Sequence, residues 1–167
     1  MIDLSTTYMG LRLRNPLIVG ASGLTGTVAG LREMEKAGVG AVVLKSIFEE
    51  EIAAEYAEAL TAARAKGMSL ESYDYFDYQV RGDVVAGYVD FIRQAKARLS
   101  IPVIASVNCT YSHEWVSFAK EIEGAGADGL ELNMFFLPSD LTRSSAEREK
   151  EYLLIIERVL QNFAGDV

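Results

Sequence analysis

Two segments of the chain repeat one pattern of apolar and polar positions. "AGVGAVVLK" (37–45) and "AGADGLELN" (125–133) each open on Ala-Gly, pass through small residues into an apolar run, and end on a polar residue. Each follows an amphipathic stretch, "LREMEKAG" and "FAKEIEGAG", with apolar positions at helical spacing. Glycine closing such a stretch supplies the left-handed cap that side chains with a Cβ resist. The short apolar run behind it reads as a buried strand of a parallel sheet. Both copies predict helix–Gly–strand, with Lys45 matching Asn133.

The rest of the pattern alternates in the same way. "PLIVGAS" (16–22) predicts a first strand, "AVVLKS" (41–46) a second, "IPVIASVN" (101–108) a third and "GLELN" (129–133) a fourth. Ser46 and Glu49 form a capping-box pattern, which predicts a helix starting at once and running through "EEEIAAEYAEALTAARAKG". Residues 67–82 have no clean period and predict a long loop. Tyr88, Phe91, Ile92, Ala95 and Leu99 then fall at helical spacing. Ser112 is the expected N-cap of a helix carrying Trp115, Ala119 and Ile122 on one face. Ser144 and Glu147 cap a last helix, with its inner face expected at Leu153, Ile156, Leu160 and Phe163. "TTYMGLRLRN" predicts a two-stranded flap turning at Met9-Gly10. Four βα units in a row mean a parallel sheet with crossover helices, either an open doubly wound sheet or a (β/α)8 barrel. A barrel takes about 250 residues, and this chain has 167.

Composition narrows the partners. The chain carries 16 Lys and Arg against 24 Asp and Glu, a net charge of −8, with no basic stripe. That argues against nucleic acid or an anionic membrane surface. The single cysteine, Cys109, excludes an intrachain disulfide and fits a reducing cytosol. "MIDLSTTYMG" lacks the features of a secretory leader, and no apolar run approaches the ~20 residues of a membrane span. The expectation is a cytoplasmic protein that acts on a small molecule.

Candidate chemistry collects at the C-terminal ends of the strands, where parallel folds of this class place their sites. Those ends are Ala21-Ser22-Gly23, Lys45-Ser46, Asn108-Cys109 and Asn133. Alternation along a strand puts Ala41, Val43 and Lys45 on one face, Ile104, Ser106 and Asn108 on one, and Glu131 and Asn133 on one. If those faces point inward, they line one interior with an amine, amides, a hydroxyl and a carboxylate. Lys donates only, while Asn donates and accepts, so the set suits a planar ligand with both kinds of edge. Each residue also has a plainer role. Lys45 suits a rim position with its stem on apolar surface. Asn108 and Asn133 suit strand-end caps, and Glu131 a paired structural carboxylate. Cys109 suits packing against a helix. His113 suits a solvent-facing first helical turn, and Glu49–Glu51 a solvated helix start. "GLTGTVAG" lacks both a Walker lysine and GxGxxG, so it is a weak phosphate signal.

"NPLIVGASGLTG", "GAVVLKS", "IPVIASVN" and "GADGLELN" together resemble the N-terminal half of the dihydroorotate dehydrogenase family. The closer likeness is to its dihydroorotate dehydrogenase-like bacterial branch, in which "ELN" runs into "FFLP". The similarity covers nearly the whole chain. It implies an FMN-containing (β/α)8 TIM barrel, of which residues 1–167 are about the first four βα units behind an N-terminal two-stranded flap. Carried over by motif, Ala21, Ser22 and Gly23 approach the flavin. Lys45 and Ser46 bind the isoalloxazine edge and the substrate side, and Asn133 contacts flavin and pyrimidine. Asn108, at the matching end of the third strand, is a weaker transfer. The resemblance implies an FMN-dependent oxidoreductase acting on a dihydropyrimidine-like small molecule.

Two departures bear on the substrate. The family's acid–base Cys or Ser, three residues past the Asn of "ELN", corresponds to Phe136, with Ser139 a candidate for a displaced base. The Asn-containing substrate loop after the second strand is not matched by "SYDYFDYQVRGD". The family's phosphate-gripping loops and its fifth-strand lysine fall in the half that this chain does not match. That predicts weak FMN retention, and a homo-oligomer that covers the open sheet. Two readings from other classes stand beside this one: a Schiff-base aldolase using Lys45, and a non-catalytic half-barrel serving as an assembly unit.

Overall fold

Gly38 ends the first helix at φ 100°, in the left-handed conformation that its place after "LREMEKA" calls for. The structure is a computed structural model and describes residues 2–48, 73–108, 114–134 and 142–161. Helix α1 (Val28–Ala37) starts at Thr27, whose hydroxyl accepts from the Gly30 amide at 3.1 Å. Beyond Gly38 comes strand β4 (Ala41–Val43), buried throughout. The second copy of the repeat folds likewise, with a helix over Glu114–Gly124, Gly126 at φ 88° and strand β7 (Gly129–Leu132). Ahead of both, β1 (Thr6–Tyr8) and β2 (Leu11–Leu13) form the antiparallel flap. Met9 and Gly10 turn it at φ 48° and 70°, the positive pair of a type I′ hairpin.

The sheet is parallel and its strands follow chain order. Strand β3 (Ile18–Val19) pairs with β4, β4 with β6 (Val103–Asn108), and β6 with β7. The fold is a mixed α/β one, with helices crossing over between parallel strands. The third strand alternates as expected. Val103, Ala105 and Val107 join the core with Val42, Leu44 and Leu130, beneath helical Leu31, Ile92, Ile122 and Ile155. Lys96 and Asp128, 2.6 Å apart, pin the start of the third strand, because Asp128 Oδ2 also accepts from the Val103 amide at 2.7 Å. Among the described residues, no helix is long and apolar enough to cross a membrane.

Three expectations are corrected. Ser46 does not cap a helix that starts at once: residues Ile47–Phe48 form strand β5, again parallel to β6. The rest of that expected helix, with Glu49–Glu51, lies outside the described residues. Residues 73–82 are not loop but the opening of a 26-residue helix, α2 (Tyr73–Arg98). With α3 naming the Glu114–Gly124 helix, the last helix is α4 (Ser145–Leu160). It buries Ile155 and Val159 and leaves Leu153 and Leu160 exposed. "YLLII" offers several apolar stripes on one helix, and packing into the common core selects the one with Ile155 and Val159. Ser112 and Phe163 lie outside the described residues.

The capping box at the start of α4 forms as expected. Ser144 Oγ accepts from the Glu147 amide at 3.3 Å, and Glu147 accepts from the Ser144 amide at 2.8 Å. These bonds hold the Glu147 carboxyl below its ordinary value of 4.5, the backbone bond from Ser144 contributing most. A depressed carboxyl stabilises above its unfolded pKa, and that contribution is lost as pH falls through the folded pKa. Amide exchange in the first turn of α4 is therefore expected to be slower in the wild type than in Glu147→Ala at neutral pH. The gap should close as pH falls well below 4.5. A gap that persists at the acid end would mean that the carboxylate is not the cap.

Candidate functional site

The second strand breaks in the middle, and the break builds the site. Val43 pairs with Ile104 and Ile47 with Val107, so four steps on one strand match three on the other. The extra residue makes a bulge over 44–46. Strict alternation would send Lys45 and Ser46 to opposite faces. The bulge lets both border one cleft of about 630 Å³ at the C-terminal ends of the strands. The Lys45 amide leaves the ladder and bonds to the Thr25 carbonyl at 3.3 Å, tying the break to the turn after β3.

That turn is a single 3-10 turn, Gly23–Thr25, closed by Thr25 Oγ1 donating to the Ser22 carbonyl at 2.9 Å. It presents Ala21, Ser22 and Gly23 as one wall of the cleft. A Cβ built on Gly20 or Gly23 would meet nothing within 4 Å, so the space over both is open. The stem of Lys45 lies along Gly26, whose built Cβ would stand 3.6 Å from Lys45 Cδ, and the residue is exposed at the rim.

Behind the cleft the inner face is a chain of hydroxyls. Ser46 Oγ and Ser106 Oγ are 2.7 Å apart and buried, and Ser106 Oγ donates to Glu131 Oε1 at 2.6 Å. Asn133 Nδ2 points to Ser46 Oγ at 3.5 Å. At the bulge, the Ser106 N–H has no strand partner on that edge, while its C=O faces the Ile47 amide across the β5–β6 bridge. The Tyr88 hydroxyl fills the gap, accepting from Ser106 N at 2.9 Å and donating to Ser106 O at 3.0 Å. Burial raises the Tyr88 pKa above its usual value, and the nearby Glu131 charge adds to the rise.

Of the residues that the sequence nominated, Ala21, Ser22, Gly23, Lys45, Ser46 and Asn133 border this one cleft. Glu131, expected on the inner face, lines it too. Asn108 stands apart from the group: its amide donates to the Asn133 carbonyl at 2.7 Å, a strand-end tie of the plainer kind. Cys109, His113, Phe136 and Ser139 lie outside the described residues. Sequence reasoning missed Phe48 and Met134, which line the cleft, and the hydroxyl of Tyr88. A second void, of about 520 Å³, opens under the flap between Tyr8, Ile18, Val43 and Ile104, and shares Glu131, Leu132 and Met134 with the first.

No family model matches the chain. Two curated proteins are similar to it over 141 residues, 80% of this chain. The catalytic subunit of dihydroorotate dehydrogenase B (NAD(+)) from Thermoplasma acidophilum is 32% identical, and that from Thermoplasma volcanium is 28% identical. This chain is related to the dihydroorotate dehydrogenases. It spans 42% of the length of either of these relatives. The relationship agrees with the family resemblance carried by its strand-end motifs.

Proposed function

We propose that residues 1–167 form the N-terminal half of an FMN-dependent oxidoreductase of the dihydroorotate dehydrogenase type. In this reading the sheet is the first four strands of a (β/α)8 barrel, and the cleft takes the isoalloxazine ring. One observation carries the reading: six residues nominated from three separate strand ends border a single cleft. The similarity to two dihydroorotate dehydrogenase B catalytic subunits supports it.

The residues present fit the cofactor. The wall at 20–23 is small, and the space over its glycines is open, as a flat heterocycle needs. The Lys45 ammonium donates to a carbonyl edge, while the Asn133 amide donates and accepts. When bound, the flavin supplies hydride acceptance. The substrate is a dihydropyrimidine-like small molecule, and Phe136 at the family's base position separates it from dihydroorotate itself. The Schiff-base alternative finds less support, because Lys45 sits exposed at the rim without the apolar enclosure that activates such an amine.

The test is fluorescence titration of the 167-residue chain with riboflavin and with FMN. Both are expected to bind, with affinities within about threefold, because the phosphate grip belongs to the family's other half. Lys45→Ala is expected to weaken both by about tenfold, the scale of one charge-assisted hydrogen bond. No binding of either flavin tighter than ~1 mM by a folded chain would sink the proposal. The same reading makes the chain a homo-oligomer, since β3 and β7 end the sheet with open edges among the described residues. Light scattering at micromolar concentration is expected to show a dimer or larger, and a monomer would refute that part.

A further inference from the structure

Ser46, Ser106 and Glu131 form a chain in which each hydroxyl has one proton to give. Ser106 gives its proton to Glu131 Oε1 at 2.6 Å, and an ionised carboxylate can only accept. The 2.7 Å contact between Ser46 and Ser106 must then be donated by Ser46. The two serines are 5% and 0% exposed, so bulk water does not compete to turn either hydroxyl around. What remains on Ser46 is lone-pair capacity. Asn133 Nδ2, which can only donate, approaches that oxygen at 3.5 Å.

We infer that Ser46 is an obligate hydrogen-bond acceptor toward the cleft, and that the ligand edge seated against it carries an N–H or O–H donor. Ser106 and Glu131 are the positioning residues that impose this direction. Beside it, Lys45 can only donate. A donor and an acceptor from adjacent residues select an edge that alternates acceptor and donor, the pattern of a cyclic imide in which N–H is flanked by carbonyls. The flavin of the proposed function has such an edge, as do pyrimidine rings of the uracil type. A ligand that offers only acceptors would face Ser46 with no proton between the two oxygens, leaving a buried polar pair unmatched. The inference rests on the cleft being a ligand site, but the direction of the hydroxyl chain does not depend on which ligand binds.

Neutron diffraction from deuterium-exchanged crystals of the chain tests the direction itself. The Ser106 deuteron is expected on the line to Glu131 Oε1, and the Ser46 deuteron on the line to Ser106 Oγ. A Ser46 deuteron directed into the cleft, or a deuteron on Glu131, overturns the inference. The ligand consequence is read from paired titrations with riboflavin and its N3-methyl derivative, which lacks the imide donor. The wild type is expected to prefer riboflavin by about tenfold or more. Ser106→Ala frees the Ser46 proton to turn toward the cleft, and Glu131→Gln lets Ser106 accept from the new amide. Each is expected to bring the preference within about threefold. A purely structural role would lower both affinities together and leave their ratio unchanged, which would overturn the positioning role. A wild type with the expected deuterons that binds neither flavin counts against the flavin reading and supports the direction of the chain.

Discussion

Tyr88→Phe is expected to cost the fold about 1–3 kcal/mol, although it removes one oxygen atom. The hydroxyl sits where the second strand breaks, and it satisfies both the N–H and the C=O of Ser106, at 2.9 and 3.0 Å. Ser106 is fully buried. Without the hydroxyl, the buried Ser106 N–H loses its partner while the C=O keeps the Ile47 amide, and one such loss costs about 1–3 kcal/mol. The urea midpoint should fall with an unchanged slope, since the surface exposed on unfolding is the same. A loss below about 0.5 kcal/mol would mean that water takes the place of the hydroxyl. Alkaline pH gives an independent readout. The folded pKa of Tyr88 is raised above its ordinary value of 10.0, first by burial and then by the Glu131 charge. A neutral acid with a raised folded pKa stabilises fully below its unfolded pKa, and that stability is lost as pH rises through the interval above. The wild type is therefore expected to lose stability above pH 10.0, and the phenylalanine variant to have a flatter alkaline limb.

Gly40→Ala is expected to cost about 3 kcal/mol or more, for a steric reason. A Cβ at residue 40 would stand 2.2 Å from the Asn15 carbonyl oxygen and 3.1 Å from Asn15 Oδ1. Asn15 cannot give way. Its Nδ2 donates to the Gly38 carbonyl at 2.8 Å and its Oδ1 accepts from the Leu17 amide at 3.0 Å. Arg14 is held alongside, donating to the Val39 and Glu35 carbonyls, both at 2.8 Å. The Gly40 amide itself donates to the Leu17 carbonyl at 2.7 Å. Segment 14–17 thus seats the first strand against the entry to the second, and a methyl group would push them apart. Gly87→Ala is the counter-experiment. That glycine is exposed inside α2, and a Cβ there meets nothing within 4 Å. Helix propensity alone then favours alanine by about 0.5–1 kcal/mol. Thermal unfolding of the two variants should move in opposite directions. Equal behaviour would show that backbone freedom, and not the contact with Asn15, governs residue 40.

Local chemistry was legible in the sequence wherever a short pattern has one physical solution. Gly38 and Gly126 cap their helices because few other residues adopt a positive φ cheaply. The alternation of "VIASVN" fixed which of its residues meet the helices and which face the other way, because a strand has only two faces. Ser144 and Glu147 formed their capping box, since nothing from elsewhere among the described residues competes for that serine. Strand-end chemistry was legible for the same reason: parallel sheets bring the ends together whatever the loops do.

Tertiary structure decided the cases in which one local pattern had two solutions. Ser46 carries the same capping signature as Ser144, but Ser106, 60 residues away, takes its hydroxyl, and the following residues join the sheet. The bulge that results lets Lys45 and Ser46 share a cleft, which strict alternation forbids. The apolar run "YLLII" allows several helix phases, and packing chose Ile155 and Val159. Tyr88 read as one more apolar position on a helix, because its value lies in a hydroxyl that meets an unpaired N–H of another element. A sequence determines which groups need partners locally; which distant group meets that need depends on the packing of the whole chain.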